Sequence, residues 1–473
     1  MATKQQETIR FISDNYLQFN RIRRDVVSDK LQIRLSNDQG KDYWREMSKQ
    51  DINSIVCQCA QECQTNITLR EVMTVLHSDL VPQVHPLREY VLSCRPWQGE
   101  VDWIDFIAQQ VCVRNSAIER HEVPVVDRAA QVPVVDRAAD LHRQPTASNA
   151  SELQCSASET NYSKALHSSQ SERSETDRLW RLCFKKWFVA MVASWMRDEV
   201  VNHQVLVLIG KQGIYKTTWL EHLIPPHLRA YCCKLANANQ LTKDDRLRIA
   251  EFGLINLDEL DAMTPRELNQ MKSIITATDV NERAAYAYTK ERRVRLASFC
   301  ASSNRREFLT DITGNRRWLP FEVESIQDPF CTSLPYEQLY AQAWALVQDK
   351  TFNYWFDLDD IEVLEEHNQH FRDESNEEQL LQVYFAVPAK DAPHAKFLTT
   401  AEISEKLVSY GHIRNPMSLS QLGMLLSRQG FVASRQGNPA RRGWIVYERN
   451  SEEVNAERSM LAKPSIASVA SVF

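Results

Sequence analysis

The sequence predicts an α/β protein with a parallel sheet at its centre, a mainly helical N-terminal domain and a winged-helix-like C-terminal domain. Three observations predict it. Apolar runs of strand length at Val205–Ile209, Gly253–Leu257 and Arg295–Ser302 alternate with helical stretches, the pattern of a parallel sheet joined by right-handed crossovers. A glycine-bearing turn follows the first run and opens a helix. Near the C-terminus, helical stretches at Thr400–Tyr410 and Ser418–Gln429 precede a hairpin, Phe431–Arg435 and Gly443–Tyr447, the order of a winged helix-turn-helix.

The chain has 473 residues; at about 150 residues per domain this leaves room for several domains, each with its own core. Lys and Arg number 56 against 62 Asp and Glu, and the net charge of −6 argues against a uniformly basic nucleic-acid coat. Local basic patches remain compatible with it. No apolar run approaches the roughly 18–20 residues of a membrane span; the best, Phe188–Met196, has about half that length. The opening stretch lacks the apolar core of a secretory signal. Membrane-spanning, disulfide-scaffold and fibrous classes are therefore not expected, and the expected location is the cytoplasm. The eleven cysteines form no paired CxxC frame. Cys57, Cys59 and Cys63 cluster without further ligands at zinc spacing, so idle thiols are expected there.

Residues 1–113 are expected to form an accessory domain. Ile9–Tyr16 is apolar at helical spacing. Phe19–Arg24 and Leu31–Leu35 alternate around a polar turn, as a hairpin does. Helices are expected over Asp51–Cys63, Leu69–Leu76 and Trp103–Val113. Residues 114–176 differ. VPVVDRAAQ is followed at once by VPVVDRAAD, too few copies for a solenoid. A Ser/Thr/Asn/Gln/Glu-rich tract follows that cannot bury enough apolar surface to offset its ordering entropy. A disordered insert is expected. Residues 177–325 hold the alternating strands and helices, and 326–378 a helical connector. Within that connector, Phe356–Glu378 carries ten acids against Arg372 alone, as a solvated helix would. Residues 379–450 form the winged-helix-like domain, where Lys406 and six arginines stand against three glutamates between 399 and 449. A flexible tail is expected over 451–473.

Gly210-Lys211-Gln212-Gly213-Ile214-Tyr215-Lys216-Thr217-Thr218 has the context of a phosphate-binding loop. Glycines let backbone N–H groups converge on phosphates, and the helix N-terminus adds partial positive charge. Lys216 would reach the β- and γ-phosphates of ATP and the Thr217 hydroxyl would hold Mg²⁺. Tyr215 stands where glycine is usual, and its side chain crowds the turn. Leu254–Leu257 ends in Asp258 and Glu259. Asp258 would hold the Mg²⁺, and Glu259 would polarise the attacking water. The bland alternative is a helix start with acids in its first turn. Asn304, at the tip of a strand between the two motif strands, would orient that water. Arg316 and Arg317 follow a glycine turn and jointly suit a neighbouring subunit's γ-phosphate. Between Asn281 and Arg317 nine basic residues stand against four acids. With Lys272, the cations and tyrosine Arg283, Tyr286 and Lys290 suit single-stranded DNA by phosphate attraction and base stacking. A solvated hairpin is the alternative. Arg435, Arg441 and Arg442 are the corresponding candidates in the C-terminal domain.

Taken in order, GKQGIYKTT, LINLDELD, TDVNERAAYAY, CASSN and TGNRRWLPF resemble the virulence-associated protein E family over about 180–325. These are P-loop ATPases of phages, plasmids and genomic islands, similar to superfamily 3 replicative helicases. The resemblance implies an AAA+-like core in a homo-oligomeric ring, with ATP between subunits. It carries the phosphate-loop lysine to Lys216, the acidic pair to Asp258 and Glu259, the sensor to Asn304 and the finger to Arg316 or Arg317. No primase motif set stands in 1–113, so primer synthesis would need a separate protein. Two other functions compete with a DNA helicase or translocase. One is a nucleotide-binding regulatory or defence switch slowed by Tyr215. The other is a DNA-binding protein whose ATPase core is degenerate.

Overall fold

The computed structural model describes residues 3–37, 40, 42–99, 101–114, 174–235, 243–282, 291–309, 315–331, 333–388, 394–436 and 440–461. The expected insert and its tandem repeat lie almost wholly outside the described residues, as do Arg283, Tyr286, Lys290 and 462–473. The chain divides into two compact units, Met1–Arg306 with Trp318–Asp360, and Glu307–Arg317 with Ile361–Phe473. Both are mixed α/β.

The first unit begins with helices Lys4–Ile12, Lys49–Cys63 and Leu69–Leu76 and with strands β1 (Ile22–Asp25), β2 (Lys30–Ser36), β3 (Asp42–Glu46) and β4 (Gln83–Val84). Each of these helices opens on a capping box, Thr3 with Gln6, Ser48 with Asp51 and Thr68 with Glu71, which satisfies donors that a helix start leaves orphaned. Phe11, Ile12, Ile55, Val72 and Leu76 fill the core between them. The expected hairpin is β1 with β2, pairing Ile22 with Ile33 and Asp25 with Lys30. Helices predominate, but the sheet has two further strands in the order β3-β2-β1-β4.

Next come helices Pro86–Ser93 and Trp103–Ala108, then strand β5 (Val111–Val113). The single helix expected over Trp103–Val113 therefore stops at Ala108. Val111 and Val113 are buried and Cys112 is exposed, an alternation of β-branched residues that fits a strand better than a helix end. The long helix Glu175–Met196 is buried around most of its circumference, as expected of a core helix with apolar residues on all sides. The remaining strands are β6 (Val205–Ile209), β7 (Cys232–Leu235), β8 (Leu254–Leu257), β9 (Asp279–Glu282), β10 (Glu291–Val294), β11 (Ser298–Ser303) and β12 (Trp318–Ile326). Their main sheet runs β5-β12-β6-β11-β8-β7. β12, β6, β11, β8 and β7 are mutually parallel, and β5 closes the edge antiparallel. β9 and β10 form a separate antiparallel hairpin.

Three tryptophans of the long helix hold this unit together. The indole N–H of Trp187 donates to Phe299 O, that of Trp195 to Gly253 O, and that of Trp180 to Ala108 O, each at 3.0 Å. Large apolar bodies are thus buried with their one polar atom satisfied. Tyr231, just before β7, donates to Asp25 Oδ2 at 2.7 Å and pins the N-terminal sheet to the larger one. Arg295 is not part of the expected strand, which begins at Ser298. Its buried guanidinium donates instead to the carbonyls of Ala297 and Asn202 and to those of Ile274, Ile275 and Ala277 at the end of helix Pro265–Thr276. Burial brings its pKa down to about 9. Helix-terminal carbonyls are what favour a cation here.

The second unit contains Glu307–Arg317 and the chain from Ile361 onward. Its elements are helices Asn376–Tyr384, Thr400–Gly411, Leu419–Arg428 and Ser451–Leu461, and strands β13 (Phe385–Ala386), β14 (Lys396–Leu398), β15 (Val432–Gln436) and β16 (Arg441–Glu448). β16 pairs antiparallel with β13, β14 and β15. Thr399 with Glu402 and Ser418 with Gln421 box the two central helices. Leu407, Leu422, Leu425, Leu426, Trp444 and Val446 pack between them. The tail expected to be flexible from residue 451 is helical over Ser451–Leu461. Asn450 caps it by accepting from the Glu452 and Glu453 amides.

Glu448 is the charged hub of this unit. It accepts from Lys406 Nζ at 2.5 Å, Tyr410 Oη at 2.7 Å and Lys396 Nζ at 2.9 Å. Burial opposes its ionisation, but these donors outweigh it and bring its pKa from the ordinary 4.5 down to about 2. A depressed carboxyl stabilises the fold above its unfolded pKa and loses that contribution as pH falls through the folded value. The thermal midpoint of the second unit should therefore fall as pH drops from about 4.5 toward 2. Glu448→Gln should flatten that part of the acid profile.

Candidate functional site

The site grows from the carboxyl ends of three adjacent strands. β11 lies between β6 and β8, with Ser303 beside Ile209 and Ala301 beside Leu257. Ligand sites in open parallel sheets gather at such ends. All five residues of β6 are buried, so the turn after Ile209 starts from a fixed point. Gly210 donates its N–H to Ser303 O at 3.1 Å. A Cβ on Gly210 would lie 2.6 Å from Val323 O, so only glycine fits. Gly213 has φ +86°. Helix Lys216–His222 follows, and no side chain caps its first turn.

Tyr215 takes the backbone conformation that glycine would, with φ +67°. A left-handed non-glycine residue costs roughly 1–2 kcal/mol. The turn keeps its shape despite the tyrosine, and the side chain is 40% exposed. The expected crowding is thus expressed as backbone strain.

Lys216 is 7% exposed. Its ammonium donates to Gly210 O and Lys211 O at 2.7 Å each and to Asn304 Oδ1 at 3.2 Å. Burial lowers its pKa, with Asp261 and Asp258 pulling the other way. Thr217 Oγ1 donates to Asp258 Oδ1 at 2.9 Å. Ser302 Oγ donates to the same oxygen at 2.7 Å and lies 3.2 Å from Thr217 Oγ1. Glu259 is exposed at the strand end with φ +54°, a second left-handed residue. Such outliers persist where the surroundings over-determine them. Asn304 N–H donates to Asp261 Oδ1 at 3.3 Å.

Hydrogen bonds therefore join Gly210, Lys216 and Asn304, and Thr217 and Asp258, at these strand ends, while Gly213 lies in the turn and Glu259 next to Asp258 in the chain. Thr218 is the third residue of that helix, and its carbonyl accepts from His222 Nδ1 at 2.8 Å. Lys272 lies on helix Pro265–Thr276 of the same unit. Arg316 and Arg317 close the turn before β12 and belong to the second unit, with Arg435, Arg441 and Arg442. These last three are exposed on β15 and β16, where Arg435 stands directly opposite Arg442. Two residues of the cluster escaped the sequence reading, Ser302 and Asp261. Both stand in recognised motifs, as neighbours of Asn304 and Glu259, but only the strand order reveals which of the polar residues face one another.

The donor set suits a nucleotide triphosphate with a divalent cation. A confined ammonium, uncapped helix amides and an exposed glycine turn match phosphate oxygens. A threonine hydroxyl and a carboxylate are hard oxygen ligands of the type that Mg²⁺ prefers.

Residues 157–373 match the family model of the virulence-associated protein E-like domain. The resemblance expected from the five motifs is thereby shown, over a longer stretch than the motifs span. No curated protein matches the chain. Among solved structures, the chain is similar to the apo C-terminal region of NrS-1, with 9% identity, coverage of 93% of this chain and 100% of that one, and a TM-score of 0.42. It is also similar to the SCCmec type IV Cch active helicase, with 10% identity, coverage of 92% and 93%, and a TM-score of 0.32. No helix among the described residues is long and apolar enough to cross a membrane.

Replacing Tyr215 should expose the strain directly. Tyr215→Gly releases roughly 1–2 kcal/mol of left-handed cost and adds roughly 0.5–1 kcal/mol of unfolded-chain entropy. A net gain of about 0.5 kcal/mol is expected from denaturant melts of the full chain.

Proposed function

We propose that this chain, which carries a virulence-associated protein E-like domain, is an ATP-dependent DNA helicase or translocase of a mobile genetic element, acting in its replication. In this reading the first unit holds an AAA+-like P-loop core and works in the cytoplasm as a homo-oligomeric ring. The observation that carries it is the cluster of Lys216, Thr217, Asp258, Ser302 and Asn304 at three neighbouring strand ends.

Each residue has a role that its surroundings support. Lys216 is held by carbonyls it can leave, and its charge would neutralise phosphate oxygens. Gly210, Gly213 and the amides of Lys216, Thr217 and Thr218 would cradle the phosphates. Thr217 and Asp258 would hold Mg²⁺, which supplies charge neutralisation at the transferring phosphoryl group. Ser302 orients the Asp258 carboxylate by fixing the oxygen that Thr217 also uses. Glu259 would polarise the attacking water and Asn304 would orient it once Lys216 lets go. Arg316 and Arg317 would reach a neighbouring subunit's nucleotide.

DNA is the proposed partner. Lys272, Arg283, Tyr286 and Lys290 would bind single-stranded DNA by phosphate attraction and base stacking. The winged-helix reading of the second unit is supported by its two boxed helices and the β15–β16 hairpin. Arg435 opposite Arg442 adds to it. Like charges facing across strands are destabilising by a few tenths of a kcal/mol or more, and neither has an ion-pair partner among the described residues. A phosphate backbone would offset that repulsion. Primer synthesis would fall to a separate primase.

ATP hydrolysis by the full chain, with and without single-stranded DNA, tests the proposal. Wild type should be stimulated by DNA, and Lys216→Ala should lose at least about a hundredfold in turnover. Ser302→Ala should need more Mg²⁺ for half-maximal rate while keeping most of the maximal rate. Turnover that is independent of both Lys216 and DNA would overturn the reading.

A further inference from the structure

The arginine pair has anchors that the motif does not contain. Arg316 and Arg317 lie on the segment Glu307–Arg317, which joins β11 to β12 yet packs within the second unit. Phe308 and Leu309 are buried, and their N–H groups donate to Phe371 O at 3.2 and 3.1 Å. Asp373 N–H returns a bond to Leu309 O at 3.0 Å, so Leu309 and Arg372 form a parallel bridge. Six residues further on, Asn368 Nδ2 donates to Asn315 O at 2.9 Å. Asn368 is 1% exposed and ends the helix Leu358–Asn368. The segment is thus gripped on both sides of 310–314, and the second grip falls on the residue before Arg316.

The gripping residues connect onward. Arg372 pairs with Glu378 at 2.8 Å, both side chains nearly buried. Arg428, the last residue of helix Leu419–Arg428, sits close enough that Arg372, after burial itself, lowers its pKa. The acidic stretch Phe356–Glu378, expected only to solvate a connector, therefore contains the grip. Both the arginine segment and its anchors fall inside the matched domain, which ends at 373.

We propose that Asn368 is a positioning residue for Arg316 and Arg317. Its amide fixes the Asn315 carbonyl, and with it the backbone direction from which the arginine pair departs. This rests on the ATPase reading above. A buried side-chain amide that donates to a backbone carbonyl holds the direction of that backbone, because breaking the bond strands a buried donor. A one-ångström error in presenting a catalytic cation is costly to turnover while leaving nucleotide affinity alone.

The test uses the full chain and Asn368→Asp, which keeps size but removes the donor. Hydrogen exchange in 307–317 should rise about tenfold, since loss of one such bond is worth about that factor. Affinity for Mg²⁺-ATP by calorimetry should stay within about twofold, and DNA-stimulated turnover should fall about tenfold. In an Arg316→Ala/Arg317→Ala background the substitution should add no further loss. If Asn368→Asp does not fold, Asn368→Ser, too short to reach, carries the same expectations. Unchanged exchange overturns the grip. A loss that multiplies with the arginine substitutions, or one accompanied by loss of nucleotide affinity, overturns the positioning role. A wild type without Lys216-dependent turnover sinks the ATPase reading, and the positioning role with it, whatever the exchange shows. A wild type that turns over while Asn368→Asp does too, at the same rate, sinks the positioning role alone.

Discussion

One carboxylate oxygen organises the site. Asp258 Oδ1 receives hydroxyl hydrogens from both Thr217 and Ser302, so the turn after β6, the end of β8 and the end of β11 are tied to a single atom. Two donors on one oxygen leave the other oxygen of the carboxylate with its lone pairs available. That asymmetry is useful at a metal, where a carboxylate must offer one oxygen without rotating. It also explains why the strand order matters more than the motifs. Were β11 not between β6 and β8, Ser302 would have no route to Asp258.

The strain in the site has the same origin. Tyr215 and Glu259 both take left-handed backbone, at a cost of roughly 1–2 kcal/mol apiece. Each sits directly after or before a residue that the cluster fixes: Tyr215 precedes Lys216, and Glu259 follows Asp258. The hydrogen bonds to Gly210 O, Lys211 O and Asp258 Oδ1 hold these neighbours in place, and the adjoining residue absorbs the mismatch. In the turn, Gly213 meets the same demand at no steric cost; at 215 the demand falls on a side chain.

Much of this was legible in the sequence, for identifiable reasons. β6 is five consecutive apolar residues bounded by a polar residue and a glycine, and its limits are Val205–Ile209 in sequence and structure alike. Helix Leu69–Leu76 likewise has both its box and its periodicity in the letters. What escaped depends on distant partners. β5 looks like the end of a helix until β12 offers it an edge. β3 and β4 are short and lack a clear alternating pattern, and each takes its place at an edge beside β2 or β1. Arg295 resembles the start of a strand, but the carbonyls that capture it belong to a helix end some twenty residues earlier and to Asn202. Ser302 and Asp261 were visible as residues and invisible as neighbours. The acidic run Phe356–Glu378 does hold a helix, Leu358–Asn368, with exposed acids, but its charge density gives no sign of the bonds that Asn368, Phe371 and Asp373 make to 308–315.

The path of the segment before β12 follows from backbone chemistry. A segment that leaves one sheet strand and returns as another would ordinarily be satisfied by the unit that owns both strands. Here its amides and carbonyls must still be paired, and the partners nearest in hydrogen-bonding terms are Phe371, Asp373 and Asn368. Pairing of buried backbone groups is close to obligatory, so the segment is held where those partners stand. Arg316 and Arg317 thus follow directly on a residue whose carbonyl the buried Asn368 amide holds. In the same unit, exposed Arg435 on β15 stands directly opposite exposed Arg442 on β16, a like-charge pairing that the strand register imposes.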